Sequence, residues 1–273
     1  MTDGKDPSRA GLATSRRNFV AGAALLGTTL SLSLGPSRAL AQASKGQSCA
    51  QNGNGTPPHC ICFLKGTRLS TPNGEVAIED LHIGDLVTTA SGSARPIKWL
   101  GFMRHRREPA ESWSDGVRPV RISVGSLDGH TPHRDLFVSA AHMLSLDGVL
   151  IPAGDLVNGT SIILDDALDR DVLDYFHVEL ESHDVVVANG AATESLQANS
   201  NSRSKFDNYA EFVALYGDDA PALLPCAPIM SYYGGRGELA SRWRSMIAPV
   251  VDVRRPLEVA RDRIDNLAER RAA

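Results

Sequence analysis

Short apolar runs separated by tight-turn residues are the feature that most constrains the fold of this 273-residue chain. Val120–Val124 alternates apolar with polar residues, and because residues two apart on an extended strand share a face, this alternation is typical of a half-buried β-strand. The pairs Asp147-Gly148 and Asn189-Gly190 stand between apolar runs and favour the tight turns of β-hairpins. The sequence therefore predicts an all-β domain of at least seven short strands.

The composition divides the chain into four segments. Residues 1–41 have the composition of an export signal, and residues 42–61 are rich in Gly, Asn, Ser and Gln, as a linker is. Residues 62–198 contain the strand-like runs, and residues 199–273 form a small C-terminal extension with helical spacing. The predicted strands are Glu75–Ile78, Asp85–Ala90, Pro96–Leu100, Val120–Val124, Met143–Leu146, Val149–Ile151, Ser161–Leu164, Tyr175–Leu180 and Val185–Ala188.

Two helices are predicted in the C-terminal extension. Phe206, Tyr209 and Phe212 recur at helical spacing, and Pro256 is suited to a first helical position because that position needs no backbone N–H donor. After Pro256, apolar residues recur on one helical face, with charged residues on the others. The sequence leaves open whether these helices pack on the β domain.

The export signal has three recognisable parts. Arg16 and Arg17 precede an apolar stretch over residues 20–34, and a small-residue cleavage site follows at residues 39–41. The stretch is too short to span a bilayer comfortably, and the paired arginines resemble a twin-arginine signal. We expect a mature protein that does not span the membrane and that is periplasmic or secreted. An uncleaved N-terminal anchor is the alternative.

The charge balance limits the partners of the mature chain. Removal of residues 1–41 leaves 23 basic and 30 acidic residues. A chain of this acidity does not bind nucleic acid by bulk electrostatics. The sequence also predicts no cofactor and no metal.

Four cysteines remain after the signal: Cys49, Cys60, Cys62 and Cys226. In an oxidising compartment they can form two disulfides, and the three pairings stay open. The spacing of Cys60 and Cys62 fits no familiar zinc pattern, so a metal-dependent hydrolase is a third and weaker hypothesis.

Cys62 stands at the start of the first ordered segment. A cysteine in that position can attack the carbonyl carbon of the preceding residue through a five-membered intermediate, which converts the Ile61–Cys62 amide into a thioester. The leaving amide nitrogen must be protonated, and this step calls for a nearby imidazole.

The segment that begins at Cys62 resembles the Hint family, the fold of Hedgehog autoprocessing domains and inteins. Cys62–Leu69 matches the opening Cys-Phe-x-x-Gly-Thr of bacterial Hedgehog/intein-type proteins, and Ile78–Val87 matches the turn that follows it. The resemblance covers residues 62 to about 196 and implies a Hint-type horseshoe of short strands.

A second block supplies the candidate catalytic histidine. Leu136–Leu144 resembles the family's Thr-x-x-His motif, with Ser139 in place of Thr and His142 as the histidine. The resemblance implies that His142 contacts the scissile amide nitrogen and assists the acyl shift. His177 and His183 lie in a third block, similar to the closing strands of inteins, and are expected to support Cys62 and His142. A histidine satisfied within the core is the alternative for each.

The sequence departs from the family where splicing would be completed. Glu194 and Ser195 fall where splicing inteins have His and Asn, and a serine cannot form the succinimide that releases the C-terminal junction. We therefore expect at most the first step, with Cys62 as a single-turnover autoproteolytic nucleophile. Its substrate is the upstream peptide of the same chain, and the thioester is resolved by water, a thiol or an alcohol. The alternative function is a non-catalytic secreted Hint-type module for binding or structure.

Overall fold

The computed structural model describes residues 61–108, 111–230 and 255–272. The predicted signal at residues 1–41, all but the last residue of the predicted linker, and two of the cysteines, Cys49 and Cys60, lie outside the described residues.

Most of the described chain is β-structure. Its strands are β1 Phe63–Leu64, β2 Arg68–Thr71, β3 Gly74–Ala77, β4 Leu86–Thr88, β5 Ala94–Pro96, β6 Trp99–Arg106, β7 Pro119–Ile122, β8 Leu136–Ser139, β9 Met143–Leu146, β10 Val149–Pro152, β11 Ile162–Leu164, β12 Val172–Glu179, β13 Val185–Ala188 and β14 Ala191–Glu194. Its helices are the 3₁₀ turns Ile78–Asp80 and Ala153–Leu156, and the α-helices α1 Ser200–Arg203, α2 Tyr209–Tyr216 and α3 Pro256–Ala272. The predicted all-β class with a small helical C-terminal extension is confirmed.

The strands form three antiparallel sheets. The first sheet has the order β11-β7-β8-β1-β12-β6, the second has the order β10-β9-β14-β13-β2-β3, and β4 pairs with β5. Strands from both ends of the domain are neighbours in both large sheets, because β1 lies between β8 and β12 and β2 lies beside β13. The strand that follows Cys62 is therefore held in the middle of a sheet.

Both predicted Asx-Gly hairpin turns are confirmed. Asp147 and Gly148 connect β9 to β10 with φ of 51° and 80°, and Asn189 and Gly190 connect β13 to β14 with φ of 48° and 85°. A turn of this type needs positive φ at both central residues, and Asn, Asp and Gly tolerate that conformation best.

The strand predicted at Pro96–Leu100 is wrong in its bounds. The N–H of Ile97 donates to Asp85 O, whereas the N–H of Lys98 donates to Glu179 O, both at 2.8 Å. The chain therefore passes from the small sheet to the first large sheet at this point. Two apolar runs that are continuous in sequence belong to different sheets.

Two apolar clusters form the core. The first lies within the β domain and includes Phe63, Phe176 and Val178, whereas the second includes Cys62, Leu64 and residues of the C-terminal extension. Neighbouring residues of β1 thus belong to different clusters, because successive side chains on an extended chain point to opposite faces.

The C-terminal extension covers the exposed edge of β6. The side chain of Asn208 accepts a hydrogen bond from Phe102 N and donates one to Leu100 O, at 2.8 and 2.9 Å. The N–H of Asp207 donates to Phe102 O, and its carboxylate accepts from Arg104 N. These bonds satisfy edge groups that would otherwise be open to pairing with another chain.

A glycine in β6 lets the extension approach closely. A Cβ added at Gly101 would lie 2.7 Å from the ring of Phe206, which is nearly fully buried. Phe206 and Phe212 both pack on Trp99 in edge-on contacts, with ring centroids 5.3 and 5.2 Å apart. The aromatic residues at helical spacing are therefore core residues of the second cluster.

Helix α3 docks on the other cluster. It begins at the predicted Pro256, and Leu257, Ala260 and Ile264 are buried in the first cluster. Asp265 also accepts a hydrogen bond from Asn158 at 2.9 Å. No helix in the described part of the chain has the length and apolar character that a membrane crossing needs.

Candidate functional site

The register of β1 brings two of the predicted site residues to Cys62. Phe63 pairs with Phe176 of β12 and with Val138 of β8, so the next position of each strand sets Cys62 beside His177 and Ser139. Cys62 N donates to Ser139 Oγ, and Ser139 N donates to Cys62 O, both at 2.9 Å. The amide nitrogen of the Ile61–Cys62 peptide is thus held by the hydroxyl of Ser139.

The carbonyl oxygen of the same peptide is held by His177. Nδ1 of His177 donates to Ile61 O, and Nε2 lies 3.4 Å from Glu194 O. Both carbonyl oxygens are acceptors, but a neutral imidazole has only one N–H. In the tautomer with the proton on Nδ1, that N–H donates to the Ile61 carbonyl, which is the closer of the two. Burial lowers the pKa of His177 to about 4. The hydrogen bonds to the carbonyls of Ile61 and Glu194 favour the protonated ring and oppose this shift only in part.

His142 is buried without a hydrogen bond. Its side chain is fully buried, and neither ring nitrogen has a hydrogen-bond partner among the described residues. The ring lies 4.1 Å from that of Phe63 and 4.9 Å from that of His177, measured between centroids. Burial, and secondarily the neighbouring imidazoles of His177 and His183, hold the pKa of His142 well below its ordinary value. A buried imidazole with two unused nitrogens is neutral and available for proton transfer.

His183 forms a buried pair with Glu194. Its Nδ1 accepts a hydrogen bond from Cys226 N at 3.0 Å, so the ring proton of the neutral form is on Nε2. Nε2 lies 3.3 Å from the carboxylate of Glu194, which also accepts from Met143 N at 3.0 Å. Burial raises the pKa of Glu194, and His183 opposes that shift.

The sulfur of Cys62 faces a small pocket. Cys62 is fully buried in the second cluster, and burial raises the pKa of its thiol far above the ordinary value. The pocket is lined by Ile61, Cys62, Met103, Leu196, Ser202, Lys205 and Phe206. Lys205 is the charged residue of this lining, and its ammonium favours the thiolate.

The predicted site residues differ in how directly they contact the Ile61–Cys62 peptide. Ser139 and His177 contact the Ile61–Cys62 peptide directly, and His142 contacts the ring of His177. The predicted contact between His142 and the amide nitrogen is not formed, because Ser139 Oγ occupies that hydrogen bond. His183 follows the end of β12 and reaches the site through Glu194.

Two residues of the site were not predicted from sequence. Glu194 joins His177 and His183, through its backbone carbonyl and its carboxylate respectively. Lys205 lies in the extension, outside every motif, and no sequence signal points to it. For Glu194 the signal was its place in the closing block, at a position where splicing inteins have His.

The described cysteines form no disulfide with each other. Cys62 and Cys226 are both free thiols, the first buried and the second exposed. Within residues 61–108, 111–230 and 255–272, no three His, Cys, Asp or Glu side chains are arranged to hold a metal ion.

Comparison with known proteins identifies similar domains. The family model described as the Hint domain matches residues 61–200. Among solved structures, the MchDnaB-1 intein is 18% identical, with 48% of this chain and 98% of that chain covered and a TM-score of 0.33. The bacterial intein-like domain from Clostridium thermocellum is 16% identical, with 50% and 99% covered and a TM-score of 0.36. The gp41-1 intein is 16% identical, with 48% and 97% covered and a TM-score of 0.35. No curated protein is significantly similar to the chain.

Proposed function

The chain belongs to the Hint domain family, and on that premise we propose that it cleaves its own backbone at the Ile61–Cys62 peptide by an N-to-S acyl shift. One observation carries the proposal: the carbonyl oxygen and the amide nitrogen of that peptide are each held by a polar side chain, His177 and Ser139. A buried peptide needs a partner for each polar group, and here both partners are side chains that the family's reaction can use.

The first step joins the sulfur of Cys62 to the carbonyl carbon of Ile61. Negative charge then develops on the Ile61 oxygen, and the N–H of His177 stands where that charge forms. A donor fixed in advance at such an oxygen stabilises the intermediate strongly, because the buried site excludes water.

The second step breaks the bond between the carbonyl carbon and the nitrogen. The thiol gives up one proton and the leaving nitrogen takes up one, so the shift needs no outside reactant. Ser139 Oγ contacts that nitrogen, and we assign the proton transfer to the neutral imidazole of His142, whose ring lies against those of Phe63 and His177. The product is a thioester between Ile61 and Cys62, with the Cys62 amine free.

An external nucleophile then resolves the thioester. A thiol or an alcohol forms a new bond to the Ile61 carbonyl carbon and gives a new thioester or an ester, whereas attack by water converts the Ile61 carbonyl into a carboxylate. The Cys62 sulfur departs as a thiol in each case. Glu194 and Ser195 cannot complete splicing, since neither side chain forms a succinimide as Asn does. We propose that this reaction takes place after twin-arginine export directed by residues 1–41, in the periplasm or outside the cell.

The test is the intact mass of the purified mature protein with and without a small thiol. We expect thiol-dependent loss of the segment before Cys62 in the wild type and no loss in Cys62→Ala. Ser139→Ala should slow the cleavage at least about tenfold, the usual effect of losing one positioned hydrogen-bonding group. Ser139→Thr keeps the hydroxyl and should retain most of the rate.

A second function is favoured by one observation. The Cys62 thiol is fully buried and its pKa is raised, which suits an inert core residue as well as a protected nucleophile. A non-catalytic module for binding or structure would give identical, unchanged masses for the wild type and Cys62→Ala with every thiol tried, and that result would contradict self-cleavage.

A further inference from the structure

The pocket at Cys62 has one wall that lies beyond the family's matched residues. The Hint domain match ends at residue 200, whereas Lys205 and Phe206, which line the pocket, follow it in the extension. The ring of Phe206 is fixed against Gly101, so the segment that bears Lys205 is anchored directly beside β6. The position of Lys205 is therefore set by buried packing and not by a loose tail.

The other polar groups near Cys62 are already committed. His177 donates to the Ile61 carbonyl, and the hydroxyl of Tyr175 donates to Val117 O at 2.7 Å. The ring of His142 lies against Phe63, whose side chain leaves the opposite face of the chain from that of Cys62. The neutral histidines therefore act on the peptide, and the sulfur needs a different partner to ionise.

We infer that Lys205 is a positioning residue that favours the Cys62 thiolate from across the small pocket that both residues line. This inference rests on the proposed function for the identity of the reaction. The pocket walls contributed by Met103, Leu196 and Phe206 are apolar, and Lys205 is their one charged neighbour within the described lining. An ammonium in such surroundings attracts an anion more strongly than it would in water.

Alkylation of Cys62 tests the inference without requiring cleavage. The full chain with Cys49→Ser, Cys60→Ser and Cys226→Ser has Cys62 as its single thiol, since the sequence contains four cysteines. The reactions with iodoacetate, which is anionic, and with iodoacetamide, which is neutral, are followed by intact mass across the alkaline pH range. Lys205→Met is compared with Lys205→Arg, and Lys65→Met is the matched control because exposed Lys65 does not line the pocket.

We expect Lys205→Met to slow iodoacetate alkylation several-fold, to lower the ratio of iodoacetate to iodoacetamide rates, and to shift the pH profile to higher pH. Lys205→Arg should retain the ratio, and Lys65→Met should match the parent. Equal profiles and ratios for the parent and Lys205→Met would overturn the inference, as would failure of both reagents to reach Cys62 in the folded parent. Either result is distinct from failure of the proposed function, which would appear as intact chain after thiol treatment whether or not Lys205 affects alkylation.

Discussion

At the scale of single residues, His177 has the most demanding environment in the site. Each of its ring nitrogens faces a carbonyl oxygen, from Ile61 and from Glu194, so only the protonated ring could satisfy both. Burial prevails over these hydrogen bonds and lowers the pKa to about 4. Negative charge on the Ile61 oxygen would raise the pKa of His177 and favour the protonated ring. His177 is therefore better suited to stabilise a charged intermediate than to bind the uncharged peptide.

The lowered pKa of His177 predicts how stability depends on pH. Between the ordinary value of 6.5 and the folded value of about 4, the unfolded chain binds a proton that the folded chain does not. The free energy of unfolding should therefore fall as the pH is lowered through this window, by up to about 3 kcal/mol from this one group. Urea unfolding at about pH 7 and about pH 4.5 measures the change.

His177→Gln is the matched variant for this measurement. His142 also has a lowered pKa, set mainly by burial, and remains in both proteins, so the difference between them reports His177 together with its smaller effect on His142. We expect a smaller loss of stability on acidification in the variant. The same loss in both proteins would show that folding does not shift the pKa of His177.

At the scale of elements, one buried ion pair holds the C-terminal extension to the β domain. Arg203 of α1 donates to both carboxylate oxygens of Glu179 in β12, at 2.9 and 2.8 Å, and both side chains are essentially inaccessible to solvent. Arg203 also donates to the carbonyls of Ala220 and Pro221 and lies over the ring of Phe212. Four hydrogen bonds thus satisfy the guanidinium, and additional hydrogen bonds of this kind are the condition under which a buried charge pair is tolerated.

Removal of Arg203 should destabilise the fold, because the Glu179 carboxylate is then buried without its main partner. Arg203→Met leaves the buried Glu179 carboxylate with Lys98, 3.7 Å away, as its remaining cation, and we expect a loss of about 3–5 kcal/mol in the free energy of unfolding. The double variant Glu179→Gln/Arg203→Met removes both charges and should recover most of that loss. Urea unfolding measures all three proteins, and a single-variant loss below about 1 kcal/mol would mean that the pair does not anchor the extension.

At the scale of the whole molecule, the proposed reaction has no separate substrate. The Ile61–Cys62 peptide is held inside the first sheet by partners from β8 and β12 of the same chain. Attack within one residue replaces an encounter between two molecules, and that proximity supplies much of the rate.

This arrangement predicts first-order cleavage. At fixed thiol concentration, the rate constant should be unchanged when the protein concentration varies over about a hundredfold range. Wild type mixed with Cys62→Ala should leave the variant intact, as measured by mass. A rate that rises with protein concentration, or cleavage of the variant, would mean that one molecule acts on another.

The sequence by itself determined the all-β class, the two hairpin turns and the candidate nucleophile. Period-two alternation and the Asp147-Gly148 and Asn189-Gly190 turns are local properties, since they depend on backbone sterics and on neighbours along the chain. Motif spacing likewise identified Cys62, and it placed Ser139 and His177 in blocks that the fold then brings beside it. The strands β1, β2, β8 and β14 were missed. In β14 the residues Ala191–Glu194 have weak strand preference and form a strand through pairing with β13 and β9.

Only the tertiary structure decided which groups touch the Ile61–Cys62 peptide. Ser139 rather than His142 holds the amide nitrogen, Glu194 links the two other histidines, and Lys205 reaches Cys62 from beyond the matched domain. The burial that lowers the pKa of His177 likewise arises only when distant parts of the chain pack together. These contacts join residues far apart in sequence, and local patterns contain no information about the side-chain directions and loss of water that such packing produces.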